Sequence, residues 1–160
     1  LSVLDQLVHD IRELFIATHI AEGGYTSRLE STASRALDYL DSNIDGARIL
    51  ARDMIDRGPF MQNHGQKTLD LTLKLGASFL EQGMEAGEFK RQNPEQLILS
   101  LVGMCLYSYA TAEVSARLLG EDDSDARKRR LMHPIRALCL SQDPLKLPQP
   151  TTPLRRAQAQ

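Results

Sequence analysis

This chain has few cysteines, no excess of positive charge and no long uninterrupted apolar run, and each shortage closes off a class of function. Its two cysteines, Cys105 and Cys139, sit among apolar neighbours without metal-like spacing. They read as buried reduced thiols of a cytosolic protein, with a bridge between them left open. Lys and Arg number 19 against 21 Asp and Glu, a formal net charge of −2. Such a chain has no global attraction for a polyanion and is not expected to bind nucleic acid by itself. The most apolar stretch, residues 93–119, carries Glu113, Arg117 and several hydroxyls, which argues against a membrane span. No secretory signal is visible, so a cytoplasmic location is expected.

The spacings that catalysis and metal binding need are missing too. The four histidines, His9, His19, His64 and His133, fall in no H-E-x-x-H or E-x-x-H arrangement. His9 and Glu13 are four apart, which reads as an exposed helical pair rather than a ligand set. Gly23-Gly24 lacks the further glycine and the lysine of a phosphate loop, and no G-x-S-x-G occurs. No enzyme activity, cofactor or metal is expected.

What the chain does have is helical periodicity over nearly its whole length. A hydrophobic share of 42 % and a charged share of 25 % in 160 residues suit one soluble domain with a real core. Residues 93–119, NPEQLILSLVGMCLYSYATAEVSARLL, read as one long helix that must be covered on more than one side. Asn93 caps it, Pro94 takes the first helical position, Gln96 makes a near capping box and Gly120 ends it. Glu113 and Arg117, four apart, are able to pair. Leu97, Leu101, Cys105, Ala112 and Leu119 form one stripe, flanked by Ile98, Val102 and Tyr109, and recurring small residues let other helices approach. One reading gives the helix its own core on one side and a partner subunit on the other. The plainer reading is the central helix of a monomeric bundle.

In chain order, Ser2 can cap a first helix with Leu4, Leu7, Val8, Ile11, Leu14 and Phe15 on one stripe. Ser27 and Glu30 match a capping box for a second, which buries Leu29, Ala33, Ala36, Leu37 and Leu40. A third, residues 45–57, is expected to bury Ile49, Leu50, Met54 and Ile55 before Gly58-Pro59 stops it. Leu69, Leu71, Leu73 and Leu75 alternate like a strand, but the wider window through Phe79, Leu80 and Met84 keeps helical spacing, and a lone strand would have no partner. The last helix begins with a cap among residues 122–125, carries a basic cluster at 127–130 on its outer side, and is expected to kink or break near Met132 and His133 because of Pro134. Four prolines without periodicity mark residues 142–160 as a flexible tail, leaving 1–141 as the ordered domain.

The fold expected is therefore all-α, an antiparallel bundle of about six helices. Its flexible and aromatic side chains suggest a cavity between helices two to five, with Met54, Phe60, Leu71, Leu75, Phe79, Met104 and Tyr107 as lining candidates; the alternative is plain core. Tyr107, a phenol wanting a partner on the less apolar side of the long helix, is the most informative of these.

The run EAGEFKRQNPEQLILSLVG, residues 85–103, resembles the linker and penultimate long helix of the regulatory domain in tetracycline-repressor family transcription regulators. ARILARDMIDRGPF, residues 47–60, looks like that family's short helix and following turn. The resemblance covers about residues 3–140 and rests on the order and spacing of individually weak motifs. It implies an effector-binding and dimerisation domain whose last two long helices pair with their symmetry mates in a four-helix bundle. On that basis Leu97, Leu101, Cys105, Tyr109, Ala112, Leu131, Ile135 and Leu138 are the implied homodimer interface. The implied partner is a small apolar or amphipathic effector, and DNA is reached only through a helix-turn-helix expected upstream of Leu1. The alternative from another class is a helical scaffold module that docks a partner helix and has no cavity.

Overall fold

In the computed structural model, residues 2–120 and 123–141 are described, and the expected tail at 142–160 lies outside them. Among the described residues seven α-helices follow one another: α1 (Val3–Ile20), α2 (Tyr25–Asp41), α3 (Ile44–Asp56), α4 (Gln66–Glu85), α5 (Pro94–Ala110), α6 (Ala112–Leu119) and α7 (Ser124–Cys139). A π-helical turn, Met61–Gly65, leads into α4. The leucine alternation at 69–75 is helix, as the wider window implied.

Local caps act where the sequence placed them. Ser2 and Asp5 close a reciprocal box at the start of α1. Asp5 also bonds His64, and this bond, followed by those from Ser2, holds its carboxyl down at about 2. The Asn93 side chain accepts from the Gln96 N–H at 2.8 Å, and the Asp123 side chain accepts from the Asp125 N–H at 3.0 Å.

Four sequence expectations are corrected by contacts between residues far apart in the chain. First, the capping box at Ser27 is not used. Helix α2 starts three residues earlier than that cap implies, and its N–H groups at Tyr25 and Thr26 donate to the Glu88 carboxylate at 3.0 and 3.1 Å. Glu30 instead binds Arg136 at 2.9 Å.

Second, residues 93–119 are not one helix. The chain breaks at Thr111 and turns by 79° between α5 and α6. No proline or glycine sits at the break; locally the Thr111 hydroxyl donates back to the Tyr107 carbonyl at 2.7 Å, and a tertiary contact joins it. Arg48 of α3 donates from Nε to the Ala110 carbonyl at 3.2 Å and pairs with Glu113 in the first turn of α6. One guanidinium thereby serves the acceptor freed at the end of α5 and an acid at the start of α6. Glu113 is thus paired with Arg48 rather than with Arg117.

Third, the first two residues of the basic cluster of α7 turn toward α2, while Arg129 stays exposed. Arg127 is buried, donates to Asp41 at 2.7 Å and lies over the Tyr109 ring, while Lys128 binds Asp38 at 2.8 Å. Both acids sit in the last turn of α2, so the pairs fasten α7 to α2. Helix α7 runs through Pro134 without a break.

Fourth, α3 buries only Gly46, Ala47 and Leu50, which face α1 and α5. Ile49, Met54 and Ile55 are left exposed. The narrow face follows from close approach: a Cβ at Gly46 would lie 2.9 Å from the Leu7 side chain.

The link between α4 and α5 is closely packed against three helices. Phe89 fills a notch over Gly83, where a Cβ would stand 2.1 Å from the ring, and it joins Phe79 and Tyr25 in an aromatic cluster. Beside it the Lys90 N–H donates to the Cys139 carbonyl at 2.8 Å, and the Ser141 N–H donates to the Glu88 carbonyl at 3.1 Å. The main buried cluster lies between α2, α4, α5 and α7. A smaller one gathers Leu4, Leu7, Val8, Leu50 and Phe60.

Candidate functional site: an apolar cavity among the helices

Amphipathic helices of unequal side-chain size leave space where small residues face one another. Here Ala33 and Ala36 of α2, Gly76 of α4 and Gly103 of α5 line a cavity of about 300 Å³. Gly76 brings α4 against its neighbours, since a Cβ there would stand 2.7 Å from Ile98 and 3.0 Å from Phe15. Gly103 is the reverse case, with nothing within 4 Å of an added Cβ.

The wall is drawn from six helices. Val8, Ile11 and Phe15 come from α1, Leu29 and Leu37 from α2, Leu50 and Met54 from α3. Leu73, Leu75 and Phe79 come from α4, Leu101, Val102 and Cys105 from α5, and Ile135 from α7. Met54, Leu99 and Gly103 are the exposed members and mark the mouth between α3 and α5.

No charged side chain lines this space. Its polar side chains are the hydroxyls of Thr18, Thr32 and Thr72, with the Cys105 thiol beside them. Thr18 donates to the Leu14 carbonyl at 2.8 Å, Thr72 donates to the Thr68 carbonyl at 2.8 Å, and Thr18 and Thr32 bond each other. Burial pushes the Cys105 thiol up to about 12 and the Cys139 thiol to about 11, so both remain protonated and poorly nucleophilic at neutral pH. Both are free thiols. Arg28 stands behind the wall, its guanidinium over the Tyr25 and Phe79 rings and donating to the Thr18 carbonyl at 3.3 Å.

Of the seven lining candidates read from the sequence, Met54, Leu75 and Phe79 line the cavity. Phe60, Leu71, Met104 and Tyr107 do not. Phe60 belongs to the smaller cluster, its ring packed where a Cβ on Gly65 would stand 2.4 Å away. Leu71 is exposed, and Met104 is half-buried against the main core. Tyr107 is 67 % exposed and needs no buried partner. The whole contribution of α1, together with Thr32 and Thr72, was missed. The available signal was a threonine hydroxyl on an otherwise apolar stripe, as with Thr18 after Leu14 and Phe15.

The implied interface residues are placed differently from their assignment. Leu97, Leu101, Tyr109, Ala112, Leu131 and Ile135 are buried within this single chain, where α5 and α7 face α2 and each other. Cys105 lines the cavity, and only Leu138 is exposed. A side chain already covered by its own subunit offers no surface to a second one in this conformation. The apolar groups that α5 and α6 present outward are Leu99, Tyr107, Val114, Leu118 and Leu119. Among the described residues no cluster of His, Cys, Asp and Glu could hold a metal ion, and no single helix is long and apolar enough to cross a membrane.

A helical domain enclosing an uncharged cavity, with an apolar outer edge on one side, has the form of a ligand-responsive regulatory module. Consistent with that class, the family model described as tetracyclin repressor-like, C-terminal domain, matches residues 26–136, well over half of the chain. The chain belongs to this family, and at that coarse level it is a regulatory ligand-binding and dimerisation domain. Searches of curated proteins and of solved structures return no match. The matched span takes in five of the six helices that wall the cavity and leaves out α1.

Proposed function

We propose that this domain is the effector-sensing and dimerising part of a cytoplasmic transcriptional repressor that leaves its operator when a small molecule enters the cavity. The observation that carries the reading is the cavity itself: about 300 Å³ of apolar space reaching the surface between α3 and α5. A scaffold module has no use for such a void, which costs packing energy while it stays empty. The residues proposed to hold the effector are Thr18, Met54, Thr72, Phe79, Val102 and Cys105.

The dimer face proposed is the exposed edge rather than the buried stripe. Leu99, Gly103 and Tyr107 recur every four residues along α5, and Val114 and Leu118 do the same on α6. A second copy laid on this edge would also cover the cavity mouth, which Leu99 and Gly103 share. Ligand occupancy and dimer geometry would then meet in the same residues, and a population shift between two dimer arrangements would separate recognition helices carried upstream.

A native mass spectrum of the purified chain tests the reading. The expected result is a dimer that retains or takes up a small molecule, reduced to monomer by Tyr107→Glu with Leu118→Glu. A monomer at micromolar concentration that takes up nothing would overturn it.

A further inference from the structure

We infer that the cavity selects an uncharged lipophile carrying its own hydrogen-bond donor, such as a medium-chain alcohol, and rejects the carboxylate of the same length. This deepens the ligand-binding reading above and rests on it.

Size comes first. A dry apolar cavity of about 150 Å³ holds benzene, so about 300 Å³ accommodates roughly a dozen heavy atoms. Charge comes second. An anion here would lose its hydration and meet no lysine, arginine or histidine in the lining, and a cation would meet no carboxylate. Arg28 is not among the lining residues; its guanidinium is laid over the far rings of Tyr25 and Phe79.

The decisive point is the count of protons. Each threonine hydroxyl has one hydrogen to give and two lone pairs to receive. The Thr18 hydrogen is committed to the Leu14 carbonyl and the Thr72 hydrogen to the Thr68 carbonyl. With its own hydrogen spent, Thr18 can only accept from Thr32, which commits the third. All three donors are therefore used inside the protein. What remains for a guest is acceptor capacity alone: one lone pair on the Thr18 oxygen and two each on those of Thr32 and Thr72. A ligand hydroxyl is satisfied by such a site. A ketone or ester oxygen, which needs a donor, finds only the weak S–H of Cys105. That thiol also stays protonated, so retention is non-covalent.

The test is calorimetric titration of the intact chain with decanol, methyl nonyl ketone, decanoate and toluene at pH 7, the last needing no polar partner. Decanol should bind about three- to tenfold more tightly than the ketone, the effect of one neutral hydrogen bond. Decanoate should bind at least about a hundredfold more weakly than decanol, and should recover below pH 5 as its carboxyl protonates. Thr32→Val and Thr72→Val should each weaken decanol by up to about tenfold and leave toluene unchanged, which also shows that the variants keep the cavity. Decanoate binding as well as decanol at pH 7, or decanol no better than the ketone and indifferent to both variants, would overturn the selectivity and leave a ligand-binding cavity standing. Toluene binding without decanol would do the same. Uptake of none of the four, toluene included, would overturn the ligand-binding reading itself.

Discussion

Two places where the chain changes direction, residues 86–92 and Thr111, are held in opposite ways. At the first, one short link is engaged by three helices. Glu88 caps α2, Phe89 fills the notch over Gly83 of α4, and backbone bonds on both sides of Phe89 reach the end of α7. At the second, a single guanidinium from α3 spans the break, and α6 beyond it packs mainly against α5. Apolar side chains are scarcer at the first, where Ala86 and Phe89 stand alone among residues 86–92, than around the second. Rigidity follows the number of elements that converge out of water, not the local supply of hydrophobic side chains.

The sharpest way to break the comparison is at Tyr109, two residues before the bend and 1 % exposed. Tyr109→Ala should cost about 3–5 kcal/mol, as for other large core truncations, measured by urea unfolding. That the bend's inner side is so costly, while its outer side is not, would locate the weakness in α6 alone. Gly83→Ala comes next. The added methyl meets the Phe89 ring and should cost about 1–3 kcal/mol by the same measurement, whereas Gly103→Ala, with open space around it, should be neutral or mildly stabilising.

A pH series tests the first junction more finely. The N–H groups of Thr26 and Tyr25 hold the Glu88 carboxyl below its ordinary 4.5. Its contribution is therefore complete above 4.5 and is lost as pH falls through the lower folded value. Glu88→Gln should lower stability by about 1 kcal/mol at neutral pH, the usual worth of a helix cap, and flatten the acid limb of the unfolding midpoint. The smallest global effects belong to the second junction. Arg48→Gln should change the unfolding midpoint by less than about 1 kcal/mol, because the pair is largely exposed, yet speed hydrogen exchange across α6. Leu118→Ala, at 82 % exposure in the single subunit, should stay within about 0.5 kcal/mol at concentrations where the chain is monomeric.

The same contrast explains how far the sequence could be read. Ser2, Asn93, Pro94 and Asp123 act on atoms within three residues of themselves, so their roles at helix starts were legible. The all-α fold followed from periodicity and from the motifs at 47–60 and 85–103. The break at Thr111 was not legible because Arg48 lies 62 and 65 residues from the Ala110 carbonyl and the Glu113 carboxylate that it binds there. Nor was the direction of the 127–130 cluster, whose acids on α2 are 86 and 90 residues away. For the cavity, helical spacing could say that Leu75 and Phe79 share a face. It could not say that α1 stands opposite them, or that Tyr107 looks outward and Tyr109 inward. A period gives a face; only the fold decides which faces meet.

The cavity finally makes volume a coordinate of this protein's stability. Unfolding admits water to apolar space that the folded chain leaves empty, so the unfolded state with its hydration is the smaller of the two and hydrostatic pressure favours it. With about 300 Å³ of such space in a chain of 160 residues, the empty form should give way to pressure early. A guest that fills the void removes that volume difference as well as adding its own binding energy, and the occupied form withstands compression and heat together.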